Sequence, residues 1–159
     1  MIELGLIGYP LEHSFSPVIH RAAFNQCGLE GKYTLFPINP TAPGEVNDLF
    51  GKIRSKAITG LNVTIPYKQM VVGLLDELTL RAEKIGAVNT IYLKNNILIG
   101  DNTDAPGFLS HLYTFLGMET EDMKRIKKAL ILGAGGAARG VVYALVRDGW
   151  DVTVAARRI

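Results

Sequence analysis

The sequence predicts an α/β protein in which a first domain of mixed strands and helices is followed by one βαβ unit. Three observations carry that expectation. Short apolar runs alternate with amphipathic stretches from the first residues onward. Asn95 and Asn96 separate two apolar runs in the way a hairpin turn does. Finally, the wholly apolar segment "ALIL" at 129–132 runs straight into the glycine-rich turn "GAGGAA".

Taken in order, "IELGLIG" reads as a buried first strand ending at Gly8. "SPVIHRAAFNQCG" reads as a helix with signals at both ends: Ser16 as N-cap, Pro17 at the first helical position and Gly28 just past the last turn. "KYTLFPI" is a second strand, "PGEVNDLFGKI" a short helix and "AITGLNVTI" a third strand. Pro66 lacks an amide hydrogen and fixes its own φ, so it stops that strand and leaves Lys68 at a strand-to-helix junction. Helical segments are expected through "KQMVVGLLDEL" and "LRAEKIG", then the hairpin in "AVNTIYLKNNILIGDNTD", then a helix in "APGFLSHLYTFLG" ending at Gly117. The polar stretch "METEDMKRIKK" reads as a solvated connection. Residues 1–103 are therefore expected to form the first domain, 104–127 a connecting helix and linker, and 128–159 an incomplete dinucleotide-binding domain.

Composition narrows the classes. The 159 residues are 48% hydrophobic with a formal charge of +2, which allows a real core and gives no electrostatic footprint for nucleic acid. Cys27 is the sole cysteine, so no internal disulfide forms and a reducing compartment, the cytoplasm, is expected. The N-terminus has no basic leader, and no stretch approaches the roughly 20 apolar residues of a membrane span.

The glycine turn sits in the context that a dinucleotide fingerprint requires. Gly133, Gly135 and Ala138 satisfy G-x-G-x-x-G/A, where the first allows a tight turn, the second a close backbone approach to pyrophosphate and the third close helix–strand packing. The amides that open the following helix then face phosphate, which makes Gly133, Ala134, Gly135, Gly136, Ala137, Ala138 and Arg139 the candidate cofactor loop. Glycines also make ordinary tight turns, which is the alternative. The second strand ends "VAARRI", without the acid that usually holds the ribose 2′-hydroxyl of NAD. Arg157 and Arg158, with Arg139, form a cationic cluster suited to the 2′-phosphate of NADP; a solvated basic edge is the competing account.

With "GYPLEHSFSPVIH", "GLNVTIPYK", "GAVNT", "GDNTDAPGF" and "GAGGAAR" in that order, the whole chain resembles the shikimate dehydrogenases. These are NADP-dependent enzymes that reduce 3-dehydroshikimate on the chorismate route to aromatic amino acids. The resemblance implies an N-terminal α/β substrate domain followed by the first βαβ unit of a Rossmann-type NADP-binding domain. It implies that Ser14 and Ser16 hold the substrate carboxylate, that Thr64 and Asn89 line the hydroxyl side of the ring, and that Lys68 and Asp104 are the catalytic pair. A homodimer is among the expected partners, beside the small-molecule substrate; neither nucleic acid nor membrane is expected. Taken singly, Ser16 and Asp104 could be helix caps, Asn89 a turn residue and Lys68 a surface lysine.

The implied chemistry explains the pairing of amine and acid. Hydride delivered to a C3 ketone leaves an alkoxide, and a positioned ammonium both stabilises that charge and donates a proton. Lys68 is the implied acid, and Asp104 holds it and accepts from the neighbouring ring hydroxyl. Two departures from the family stand out. Ala156-Arg157-Arg158 replaces the usual Asn-Arg-Thr, which keeps an arginine. A dinucleotide fold also needs two βαβαβ halves, so roughly another 100 residues are expected beyond Ile159, and the chain as given is expected to be an inactive fragment. A quinate-accepting relative and a non-catalytic shikimate-binding module remain as alternatives.

Overall fold

A computed structural model describes residues 1–41, 44–117 and 127–157. Its elements run β1 (Ile2–Gly8), α1 (Ser16–Cys27), β2 (Gly31–Pro37), α2 (Gly44–Arg54), β3 (Gly60–Val63), α3 (Tyr67–Met70), a 3₁₀ turn (Val71–Leu74), β4 (Glu77–Leu78) and α4 (Leu80–Ile85). They continue with β5 (Thr90–Lys94), β6 (Ile97–Asp101), α5 (Asp104–Leu116), β7 (Lys128–Leu132), α6 (Gly136–Arg147) and β8 (Asp151–Ala155).

Among the described residues, six strands make one mixed sheet in the order β2-β1-β3-β5-β6-β4. Helical crossovers through α1 and α2 leave β1 parallel to both neighbours, β2 and β3. β5 then pairs antiparallel with β3 and with β6. The β5–β6 turn is the expected one, with Asn95 and Asn96 at φ 51° and 65°, a region that asparagine tolerates better than other side chains. Ile7, Leu61, Val63, Ile91 and Leu98 of the sheet pack with Val46, Leu49, Phe50 and Ile53 of α2, and this apolar layer is the main core.

Two local expectations are corrected. Ser16 is not the N-cap of α1. Phe15 takes that position with helical dihedrals, so the turn starts one residue early, and the Ser14 hydroxyl accepts from the Ser16 amide at 3.3 Å. Gly28 does close the helix, at φ 63°. The helix expected over 68–78 also breaks after Met70. Val71, Val72 and Gly73 are poor helix formers, and Asp76 accepts from the Leu98 amide at 2.7 Å, drawing the chain to the sheet edge where β4 pairs parallel with β6.

β7 and β8 form a separate parallel pair bridged by α6, the expected βαβ unit. It is joined to the first domain through helices. Ile85 and Ala87, Ala105 on α5 and Ala144 on α6 form a second small core with Phe108, Leu109 and Tyr143. Of the connection read as solvated, residues 118–126 lie outside the described residues. Lys127 departs from that reading: its side chain is 8% exposed and pairs with Asp148 at 2.8 Å. Tyr113 and Trp150 also donate to that carboxylate, and Lys127 lies 5.4 Å from the Tyr113 ring centroid. Burial works against the charge on Asp148, but hydrogen bonds from Lys127, Tyr113 and Trp150 outweigh it and hold the carboxyl below its ordinary value. This cluster ties α5 to the strand entering the βαβ unit. No helix among the described residues is long and apolar enough to cross a membrane.

Candidate active site

The C-terminal ends of β1 and β3 and the start of α1 enclose a cavity of about 300 Å3. Ser14, Ser16 and Thr64 line it, with Glu12, His13 and Ile65. Three of the expected substrate residues are thus brought together. Thr64 follows directly on β3; its amide donates to the Ile7 carbonyl at 2.9 Å, which locks the strand end against β1.

Past Thr64 the chain turns through Pro66 into α3. Tyr67 points inward and donates its hydroxyl hydrogen to the Ile38 carbonyl at 2.9 Å, so the next residue, Lys68, faces the other way. Lys68 Nζ meets Asp104 Oδ2 at 2.6 Å, the two side chains being 14% and 33% exposed. Asn89 donates from Nδ2 to Asp104 Oδ1 at 2.7 Å and to Thr103 Oγ1 at 2.9 Å, while its Oδ1 accepts from the Thr103 amide at 2.9 Å. Asn89 is therefore a buried, fully engaged amide that orients the carboxylate, and Asp104 can hold a cation on one oxygen without turning. Both charges remain partly open to solvent, as groups that meet a substrate must be.

Asp104 stands where it does because of a residue that had no role in the sequence reading. Asn102 is fully buried; it donates to the Ala87 carbonyl at 3.0 Å, and its Oδ1 accepts from the amides of Asp104 and Ala105 at 3.1 and 3.3 Å. It caps α5, so Asp104 is free to serve the lysine. The signal was only partial: asparagine is a preferred capping residue, but Thr103 stands in the position next to the helix start, and its helical dihedrals pass the capping to Asn102. Just upstream, Arg81 grips Asp101 at 2.6 and 3.0 Å and Thr79 donates to it at 2.6 Å. Burial opposes ionisation of Asp101, yet the bonds from Arg81 and Thr79 prevail and its pKa lies below the ordinary aspartate value. The end of β6 is pinned as a result. Asn62, on the same face of β3 as Thr64, is another residue the sequence reading passed over: its Oδ1 accepts from the Tyr33 hydroxyl at 2.9 Å.

The glycine turn arrives at this site from the other side. Gly133 has φ 108°, a conformation that side chains rarely adopt. Gly135 precedes α6 in open space, so the backbone there is approachable, and twelve residues of α6 stand behind its free amides. These features fit a dinucleotide pyrophosphate. A Cβ on Gly136 would lie 3.1 Å from Lys68 Cβ, and one on Gly140 would lie 3.6 Å from Asp104 Cβ and from Asn102 Oδ1. Gly136 therefore lets the start of α6 lie against the lysine stem, a task the sequence did not assign to it, whereas a Cβ at Gly140 would make only ordinary van der Waals contact. Ala137 and Arg139 are exposed, and Ala134 and Ala138 line a cavity of about 660 Å3 with Arg139. Arg157, at the end of β8, is exposed; Arg158 lies outside the described residues.

Geometry alone defines a class: an α/β domain that carries a hydrogen-bonded lysine–carboxylate pair, set against the opening turn of a nucleotide-type βαβ unit. Comparison with known proteins narrows it. Residues 6–91 match the family model described as shikimate dehydrogenase substrate binding domain. A shikimate dehydrogenase (NADP(+)) of Oceanobacillus iheyensis is 45% identical over 153 residues, which is 94% of this chain and 53% of the relative. The crystal structure of shikimate dehydrogenase from Aquifex aeolicus superposes with a TM-score of 0.86 at 39% identity, covering 99% of this chain and 56% of that one. The Thermus thermophilus enzyme, solved in complex with NADP(H) and shikimate, gives a TM-score of 0.82 at 37% identity, covering 99% and 57%. The chain belongs to the shikimate dehydrogenase family, and it spans about half the length of the curated relatives it matches.

Proposed function

We propose that the protein serves as an NADP-dependent shikimate dehydrogenase, reducing 3-dehydroshikimate reversibly to shikimate. The observation that carries this reading is the 2.6 Å contact between Lys68 and Asp104, with Gly136 of the cofactor loop packed on the lysine stem. In this reading residues 1–103 bind substrate, 104–127 connect and 128–159 open the cofactor domain. Ser14 and Ser16 donate hydroxyl hydrogens to the substrate carboxylate, and Thr64 and Asn89 border the ring hydroxyls.

The backbone from Gly133 to Ala138 would cradle the pyrophosphate, with Arg139 beside it, and Arg157 and Arg158 would take the 2′-phosphate. When bound, NADPH supplies the hydride. Lys68 stabilises the charge that develops on the C3 oxygen and donates a proton from Nζ, while Asp104 Oδ2 keeps the ammonium in place and accepts from the adjacent ring hydroxyl. In the reverse direction Lys68 Nζ takes that proton back. The reading also includes a cytoplasmic location, in keeping with the single exposed Cys27, and a homodimer.

The test is steady-state turnover by the intact gene product with shikimate and NADP+, run beside NAD+ and quinate. Turnover of shikimate with NADP+ preferred is expected. A folded protein that oxidises none of these acids, or that prefers NAD+, would overturn the proposal.

A further inference from the structure

The proposed substrate residues fall into two groups: Ser14, Ser16 and Thr64 around one cavity, and Lys68, Asn89 and Asp104 in one hydrogen-bonded cluster. One side chain on β2, Tyr33, is linked to both, in each case through one intervening residue. Its hydroxyl donates to Asn62 Oδ1 at 2.9 Å, and Asn62 Nδ2 makes a long contact of 3.4 Å with the Asn89 carbonyl. Asn89 in turn orients Asp104. On the opposite side His20 stacks on Tyr33, the ring centroids 3.9 Å apart at 26°. His20 Nδ1 lies 2.9 Å from the Ser16 carbonyl, which can only accept, so Nδ1 carries the hydrogen there.

Resting on the shikimate-site reading above, we propose that Tyr33 is a positioning residue for the substrate site. Its hydroxyl fixes the orientation of the Asn62 carboxamide, and its ring, through His20, steadies the first turn of α1 that carries Ser16. A carboxamide on a strand face has two orientations that differ by exchange of donor and acceptor. The Asn89 carbonyl can only accept, so it takes Nδ2 and leaves Oδ1 toward Tyr33, whose hydroxyl donates there and holds the carboxamide in that orientation. Burial pushes the phenol up to about 12, with the Ser16 hydroxyl acting against it, so the proton needed for this donation is retained across neutral and mildly alkaline conditions. Phenylalanine would fill the same space and keep the stack on His20, losing only the hydroxyl.

Tyr33→Phe therefore isolates that group. In the intact gene product KM for shikimate is expected to rise roughly 3- to 10-fold, the range that losing one partly buried hydrogen bond gives. KM for NADP+ and the thermal midpoint should stay close to wild type. In the 159-residue chain, the side-chain NH2 resonances of Asn62 should shift in the variant. An unchanged KM for shikimate overturns the proposal whatever the resonances do, and so does a fall in thermal midpoint with both KM values raised together, which marks a merely structural tyrosine. If the wild-type protein does not turn over shikimate, it is the functional reading that fails. The Asn62 resonances then decide Tyr33 alone: a shift upholds its hold on the carboxamide, and unmoved resonances refute it.

Discussion

Replacing Lys68 by methionine removes the ammonium and keeps the stem that packs beneath Gly136. Three features set the size of the effect. Lys68 Nζ is a hydrogen-bond donor to Asp104 at 2.6 Å on a side chain 14% exposed, and under the proposed mechanism it is the proton source. General acids contribute about 10² to 10⁴ in rate, so Lys68→Met should lower kcat by about 10³. Stability should change far less. Asp104 is 33% exposed and keeps its 2.7 Å bond from Asn89, so the carboxylate is neither buried nor orphaned, and a loss of about 1 kcal/mol is expected. NADP+ affinity should move less than about threefold, since the loop at Gly133–Ala138 is untouched. The assay is kcat and both KM values, with a thermal melt on the same sample, for Lys68→Met, Asp104→Asn and the double variant. Residues that act as a unit lose activity non-additively, so the double variant should be little slower than the worse single one. A Lys68→Met enzyme that retains more than about one tenth of wild-type kcat, with a normal melt, would remove the lysine from proton transfer. A loss confined to NADP+ binding would mean that the lysine acts on the loop instead.

Arg157→Ala should weaken NADPH by about 10- to 100-fold and NADH hardly at all, because only the former carries the 2′-phosphate that a charge-assisted bond would read; equal losses for both cofactors would show the arginine reading something else. Asp101→Asn should lower stability by about 2 kcal/mol at neutral pH. The folded-state pKa of Asp101 lies below its unfolded value, so this contribution is complete above the unfolded value near 3.9 and is lost as pH falls through the folded one. The gap between wild type and variant in urea midpoint should therefore narrow from pH 7 to about pH 3, and a gap that does not change would refute the linkage. The 159-residue chain should also self-associate, since β7 and β8 expose Leu130, Leu132 and Val154 at open strand edges; Leu130→Lys with Leu132→Lys should reverse it, and a wild-type monomer at all concentrations in sedimentation would argue otherwise.

Much of the backbone was legible because local rules decide it. Asn95 and Asn96 make the hairpin, Gly28 and Gly117 end helices in the left-handed region, and Gly133 bends where a side chain would strain. The helix expected over 68–78 failed because a distant amide, that of Leu98, captured the Asp76 carboxylate, and propensity carries no record of such a partner. Ser16 failed as a cap for a nearer reason, since Phe15 itself adopts helical angles and Ser14 takes the free amide. The site divides in the same way. Lys68 and Asp104 are 36 residues apart, and no period or spacing pairs them; family resemblance alone suggested it. Tyr33 with Asn62, and Lys127 with Asp148, are contacts between elements that only the folded chain brings together.

The place of Lys68 follows from where three chain segments end. β3 must stop at Val63 so that Thr64 can lock to β1 and Tyr67 can bury its ring, and the residue after a buried tyrosine in a short helix turns outward. β6 must stop at Asp101, gripped by Arg81 and Thr79, so that Asn102 can cap α5 and leave the Asp104 carboxylate unspent. α6 must begin with Gly136, because a Cβ there would lie 3.1 Å from Lys68 Cβ and press on the lysine stem. Each requirement is met by a different kind of residue, and each lies outside the pair that would carry the chemistry. A substitution at Asn102 or Gly136 should consequently injure turnover while leaving every proposed catalytic group in the chain, which is how a site built at a seam differs from one built within a single element.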